Sequence, residues 1–378
     1  MKKPVNNMNP TRREFLTLTG MSAGALALSS CGILPASRGS LPDTPQTTKS
    51  GKIREYSFDA APVEFSVGGN TVQSWAYNDV VPGPEIRVTE GDTLRIKVNN
   101  RLPKDTTIHW HGLPIANDMD GVPHVTQPPI KSGEEFVYEF VVPVAGSYMY
   151  HSHVGLQLDR GLYGPLIVDP KKEDLDYDRE YTLMLDDWLD GISGTPEDAL
   201  DLLQRNGGGM GGGMMSGDPS TSGDLPYPHY LINGRTPDDP EALKVRRGDR
   251  VRLRLINPAS DTVFRFAVGG HKLTVTHADG LAVEPVEVDS LRIGMGERYD
   301  VLLEADNPGV WQVAAPPRAR TASPAPCSAT KRAGSPRRLD RAPGQGSWMV
   351  SCWGTEISGL RGTNRSRRTA FSRHPTAR

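Results

Sequence analysis

One segment of this chain occurs twice, and that repetition is the strongest constraint on the fold. The order Val-x-x-Gly-Asp, followed by alternating apolar residues, occupies Val88–Ile96 and recurs at Val245–Leu253. Successive side chains of a strand point to opposite faces, so this alternation is typical of a strand that buries one face. Copies this far apart have the spacing of whole domains. We therefore predict two tandem antiparallel β-sandwiches, at residues 51–170 and 178–316.

The composition favours the same all-β class. The 378 residues include 40 glycines and 32 prolines, which indicates short strands joined by turns rather than a helical bundle. No stretch reaches the roughly 18 to 20 uncharged apolar residues that cross a bilayer as a helix, which excludes a polytopic membrane protein. The net charge is −2, and the part of the chain before residue 318 is acidic, so we expect no nucleic-acid partner.

The first 50 residues have the features of an export signal. Arg12 and Arg13, followed by a weakly apolar stretch, resemble a Tat signal. The order Leu-Ser-Ser-Cys that ends at Cys31 resembles a bacterial lipoprotein box, in which the thiol is acylated; the alternative is an ordinary signal with a chance cysteine. We expect a Tat-type signal with a lipobox at 1–31 and a flexible tether at 32–50. The protein would then be extracytoplasmic, with a lipid anchor at the membrane surface.

The chain after residue 316 has a different character. From residue 318 onward it contains 13 Lys or Arg residues against two acidic ones, Asp340 and Glu356, and no third Val-x-x-Gly-Asp segment. We expect residues 317–378 to be disordered. Two origins stay open: a slip of reading frame in GC-rich coding sequence, and a genuine basic tail.

Four of the nine histidines fall in two identical spacings, His109-Trp-His111 and His151-Ser-His153. On a strand, residues i and i+2 point to the same face, about 6.6 Å apart along the chain. Two such strands side by side would make a four-imidazole patch. Imidazole suits copper and zinc, so the spacing predicts a metal site.

The surrounding residues make the resemblance specific. His-Trp-His-Gly at His109–Gly112, Asp-Gly-Val-Pro at Asp120–Pro123 and Gly146–His153 resemble the first two copper motifs of the multicopper oxidases, the laccase and bacterial copper-efflux oxidase group. With the export signal, the chain is similar to the lipoprotein copper-resistance oxidases of actinobacteria. The resemblance covers about residues 54–316. It implies Greek-key cupredoxin domains, three in the family, with a type 1 copper in the third and a trinuclear cluster between the first and third.

The resemblance also implies roles for single residues. His109 would be a ligand of the type 2 copper, and His111, His151 and His153 would be ligands of the type 3 pair. Asp120 would be the carboxylate that orients water near the cluster and relays protons, or it is only the turn residue before a glycine. The implied reaction couples one-electron oxidation of Cu(I) or small phenols to reduction of dioxygen to water, in copper resistance.

The other histidines lack this pattern. We interpret His124 as an exposed loop residue. His271 and His277 lie in the second copy, and the corresponding domain of the family binds no copper, so we expect both to be structural. His229 and His374 have no ligand-like partners.

Three methionines lie in a glycine-rich segment between the two copies, at Met210, Met214 and Met215. Thioethers suit Cu(I), so the segment is either a plain linker or a weak Cu(I) site.

The sequence departs from the family in its second set of copper motifs. The printed residues contain no His-Pro-x-His-x-His and no His-Cys-His, and Cys327 and Cys352 have no histidine neighbours. The family cluster needs eight histidines. We therefore expect the third cupredoxin domain to be missing and this chain to be inactive alone. Two hypotheses remain: a multicopper oxidase by descent, and a secreted copper-binding lipoprotein that sequesters metal without catalysis.

Overall fold

The computed structural model describes residues 51–205, 225 and 227–317, together with the backbone of 345–351. In these ranges the regular secondary structure is almost entirely β-strand, which confirms the predicted class. The first eight strands are β1 (Ile53–Val67), β2 (Asn70–Tyr77), β3 (Ile86–Thr89), β4 (Thr93–Asn100), β5 (His109–His111), β6 (Glu135–Val141), β7 (Gly146–His151) and β8 (Tyr163–Asp169). The others are β9 (Arg179–Trp188), β10 (His229–Ile232), β11 (Ala242–Arg246), β12 (Arg250–Ile256), β13 (Phe264–Val268), β14 (Leu273–Ala278), β15 (Leu281–Val288), β16 (Leu291–Ile293), β17 (Arg298–Glu304), β18 (Val310–Ala314) and β19 (Gln345–Ser351).

Strands β1–β8 form the first sandwich. One sheet has the order β2-β1-β4-β6 and the other the order β3-β8-β7-β5. Their inner faces share one core because alternate residues of each strand point inward. Its members from the two sheets include Phe58, Leu94, Tyr138, Ile86, Tyr150 and Leu166.

Strands β9–β19 form the second sandwich, with sheets of order β10-β9-β12-β17-β14-β15 and β11-β19-β18-β13-β16. Its separate core includes Leu183, Leu253, Val301, Phe264, Phe266 and Val313. The predicted repeat holds at the level of single hydrogen bonds. Oδ2 of Asp92 accepts the backbone N–H of Thr89, and Oδ2 of Asp249 accepts that of Arg246, so the same turn precedes β4 and β12.

The two sandwiches are joined by a third apolar cluster and by buried charges. Met149 and Tyr163 of the first sandwich pack in one cluster with Met184 and Trp188 of the second. The fully buried carboxylate of Asp300 on β17, which pairs with two arginines of β12, also accepts the hydroxyl of Ser147 on β7 of the first sandwich. The contact between the sandwiches therefore has an apolar and a polar part.

Within the described residues one α-helix interrupts the β pattern, α1 (Pro196–Arg205). Its start follows local chemistry: the Oγ1 of Thr195 accepts the backbone N–H of Asp198, whose carboxylate accepts the backbone N–H of Thr195. Proline is suited to the next position because a first helical residue needs no hydrogen-bonded N–H. No helix in the described ranges is long and apolar enough to cross a membrane.

The predicted disorder after residue 316 does not hold for one segment. The backbone of 345–351 forms β19, which pairs in parallel with β18 and antiparallel to β11. A strand is expected to bind there because β11 and β18 would otherwise leave a row of backbone N–H and C=O groups without partners. Residues 318–344 and 352–378 lie outside the described residues.

Candidate metal centre

The two histidine pairs lie on neighbouring strands. In the antiparallel pairing of β5 with β7, His109 is directly opposite His151, Trp110 opposite Tyr150 and His111 opposite Met149. The indole of Trp110 is fully buried, with its ring centroid 5.4 Å from that of Tyr138. Because the tryptophan points into the core, the histidines on either side of it must point to the other face.

Three imidazoles converge on one point. Each of His109, His111 and His151 offers a ring nitrogen, and these atoms all lie within 4.8 Å of one another. His153 follows the end of β7 and is exposed, with its ring centroid 5.4 Å from that of His109 and 6.1 Å from that of His151. The structure thus brings the four predicted histidines together, three in a tight group and the fourth at its rim.

Hydrogen bonds select which ring nitrogen is free. Nδ1 of His109 lies 2.8 Å from the backbone carbonyl of Asp120, and Nδ1 of His151 lies 2.8 Å from that of Ser152. A carbonyl oxygen only accepts, so both Nδ1 atoms carry the proton and both Nε2 atoms present a lone pair. Metal-binding histidines are commonly oriented by such a partner on the other ring nitrogen.

Asp120 lies where it orients His109. It directly follows the 3-10 helix Asn117–Met119, and its Oδ1 is 3.3 Å from the same Nδ1 that its main-chain carbonyl contacts. Both earlier interpretations of this residue are therefore compatible with its position, since it is a turn residue and its carboxylate also faces a histidine.

Burial keeps two of the rings neutral. Loss of hydration lowers the pKa of His111 to about 4, with the nearby Arg298 as the next cause. Burial lowers the pKa of His151 to about 3. Nitrogen lone pairs at this site are consequently available at neutral pH, when an exposed histidine is partly protonated.

The spacing fits a transition-metal ion. Nδ1 of His111 is 3.3 Å from Nε2 of His151. Two nitrogen ligands at about 2.0 Å from one ion, with an angle near 110° between them, lie about 3.3 Å apart. Together with neutral imidazoles held by carbonyl groups, this fits copper or zinc.

The other predicted residues do not join the group. His124 is exposed in a loop, as expected. His229 lies on β10, His271 in a loop with Nδ1 against the carbonyl of Gly269, and His277 on β14, and none belongs to the three-ligand group. Cys31, Met210, Met214 and Met215, with His374, lie outside the described residues.

Sequence reasoning missed the contribution of the second sandwich. The turn before β17 and the first residue of that strand reach the first sandwich, where Gly296 lies against the ring of His111 and Arg298 lies beside Gly112. No sequence signal pointed to this turn, because the second copy has none of the paired histidines.

Comparison with known proteins agrees with the geometry. Two family models described as multicopper oxidase match residues 59–173 and 179–333. The multicopper oxidase MmcO of Mycobacterium tuberculosis is 39% identical over 360 residues, which cover 90% of this chain and 70% of that protein. The chain belongs to the multicopper oxidase family. The second match extends past residue 316, where we predicted the second copy to end.

Further relatives support the assignment. Copper resistance protein A of Escherichia coli is 35% identical over 332 residues, which cover 79% of this chain and 53% of that protein. The solved blue copper oxidase of Nitrosomonas europaea is 30% identical with a TM-score of 0.60, over 80% of this chain and 86% of that one. The chain thus spans between about half and 70% of these two curated relatives. The family confirms the predicted cofactor, copper, and the predicted class, the copper-dependent oxidoreductases.

Proposed function

We propose that the four histidines are the first-sandwich half of a trinuclear copper cluster. His109 would bind the type 2 copper, and His111, His151 and His153 the type 3 pair. The observation that carries the proposal is the cross-strand pairing of His109 with His151, which brings three ring nitrogens within 4.8 Å. Copper held by these histidines would supply one-electron redox chemistry.

We infer that the whole protein oxidises Cu(I) or small phenols in copper resistance. Four one-electron oxidations release four electrons, and with four protons these convert one dioxygen molecule to two waters. Relatives named copper resistance protein A and laccase support this substrate range. Asp120 would supply protons, since its partly exposed carboxylate lies between solvent and His109.

Export would follow from the N-terminal motifs. We propose that the twin arginines direct Tat export and that Cys31 carries a lipid anchor, which would place the enzyme outside the cytoplasm at a membrane surface.

Copper titration of the purified chain tests the half-site. We expect one or two bound coppers of modest affinity, because four ligands cannot fix the positions of three ions. His109→Ala and His151→Ala should each lower the bound copper, whereas His124→Ala, an exposed histidine of the same sandwich, should not. Asp120→Ala should keep most of the copper, since its main-chain carbonyl still holds His109. Equal loss from the histidine variants and the control would refute the assignment.

Oxygen uptake tests the catalytic part of the proposal. We propose that turnover needs ligands beyond these four histidines, including a cysteine thiolate for type 1 copper. The 378-residue chain should then be colourless with copper and should consume no oxygen with a phenol, and an in-frame third cupredoxin domain should restore both properties. Blue colour or oxygen uptake by the chain alone would overturn this. Tight copper binding without recovered oxidase activity would favour sequestration instead.

A further inference from the structure

Two glycines interlock at the junction of the sandwiches. A β-carbon at Gly296 of the second sandwich would lie 3.0 Å from Cε1 and 3.2 Å from Nε2 of His111. A β-carbon at Gly112 of the first would lie 2.3 Å from Nη2 of Arg298. Each sandwich therefore has a glycine at the position where a side chain of the other sandwich packs. The imidazole of His111 and the guanidinium of Arg298 are consequently packed into the same junction.

The guanidinium of Arg298 is held in place from both sides. Its Nε donates to the backbone carbonyl of Ser147, on the strand that carries His151, at 3.3 Å. Its Nη1 donates to the carbonyl of Gly296 at 2.9 Å, and the same atom lies 3.2 Å from Oδ1 of Asp279. The side chain of Arg298 thus links the turn of Gly296, which packs on His111, to β7, the strand that ends at His151.

The charge of Arg298 is only partly balanced. The arginine side chain is 5% exposed, whereas that of Asp279 is 60% exposed, so water screens the carboxylate far more than the guanidinium. Two of the donor nitrogens of Arg298 are bound to neutral carbonyl groups. A positive charge is therefore buried beside the histidines.

From this arrangement we propose that Arg298 is a positioning and charge-setting residue of the copper half-site, supplied by the second sandwich. It fixes the turn of Gly296, which packs against the ring of His111, and its charge disfavours Cu(II) relative to Cu(I) at that position. The inference rests on the proposed function, because it requires copper at these histidines.

The expected size follows from Coulomb's law. We treat the guanidinium as one unit of charge about 10 Å from the metal, at an effective dielectric constant of about 20. Such a charge changes the stability of bound Cu(II) relative to bound Cu(I) by roughly tenfold, because the two ions differ by one charge. Arg298→Met should therefore raise the ratio of Cu(II) affinity to Cu(I) affinity by roughly tenfold, whereas Arg298→Lys keeps the charge and should keep the ratio.

Competition titrations with Cu(I)-specific and Cu(II)-specific chelators measure this ratio for the first equivalent of metal on the 378-residue chain. Arg265→Met, which removes an exposed arginine of the same sandwich, is the matched control and should leave the ratio unchanged. Arg298→Gln also removes the charge, keeps an amide donor for the neighbouring carbonyl groups and should raise the ratio in the same way, so it decides the matter if Arg298→Met does not fold.

The outcomes separate the two proposals. An unchanged ratio in Arg298→Met or in Arg298→Gln, including a loss of both affinities in equal proportion, would show that Arg298 has only a structural role and would overturn the inference. Copper that stays bound to His109→Ala would instead refute the half-site itself.

Discussion

Replacement of Asp300 should be the most damaging conservative change in this protein. Its carboxylate is fully buried and accepts from Arg252 through Nη2 at 2.5 Å and from Arg254 through Nη1 at 3.2 Å. It also accepts the hydroxyl of Ser147 at 2.5 Å, on the strand that ends at His151. The two guanidinium groups are 3% and 0% exposed, so water cannot replace the lost charge.

The size of the effect depends on which partners Arg252 and Arg254 keep after the substitution. Removal of one partner from a buried ion pair costs about 3–5 kcal/mol because the other charge is left uncompensated. Asn keeps the shape and can still accept from the arginines. Glu180 also stays 2.8 Å from Arg254. We therefore expect Asp300→Asn to cost about 3 kcal/mol, at the lower end of this range, and Asp300→Ala to cost about 5 kcal/mol.

Thermal unfolding measures the loss. For a folding unit of about 250 residues, close to the described part of this chain, 1 kcal/mol shifts the midpoint by roughly 2 °C, so Asp300→Asn should unfold about 6 °C lower. Asp289→Asn is the matched control because its ion pair with Lys272 is exposed, and its midpoint should not move. If Asp300→Asn unfolded within error of the unchanged protein, the buried charges would not be a structural requirement and the argument would fail.

Two further predictions concern buried groups. Burial raises the pKa of Asp187 to about 7. Between about pH 4 and 7 the folded state therefore binds more protons than the unfolded state. The contribution of Asp187 to the free energy of unfolding consequently falls as the pH rises through this window. The stability difference between the unchanged protein and Asp187→Asn should fall across that window, by at most about 1.4 kcal/mol per pH unit, and a flat difference in denaturant titrations would contradict it. The Tyr138 hydroxyl accepts the buried backbone N–H of Ile108 at 3.0 Å, so Tyr138→Phe should lower the free energy of unfolding by about 1–3 kcal/mol in urea titrations; unchanged stability would argue against this contact.

The sequence alone was sufficient to predict the class of fold and the four histidines of the first sandwich. Alternation and the repeated Val-x-x-Gly-Asp segment predicted two sandwiches because both are local properties of single strands. The His-X-His spacing predicted a shared face for the same reason. It did not predict β19, because the backbone groups that bind this strand belong to β11 and β18, which are distant in the chain.

Only the tertiary structure decided which nitrogens are free and what surrounds them. The tautomer of His109 depends on the carbonyl of Asp120, in the loop after the strand. Arg298 and Gly296 reach His111 only because the two sandwiches are packed together. Spacing along a strand determines which way a side chain points, whereas burial, hydrogen-bond partners and nearby charge depend on segments that are remote in sequence and meet only when the chain folds.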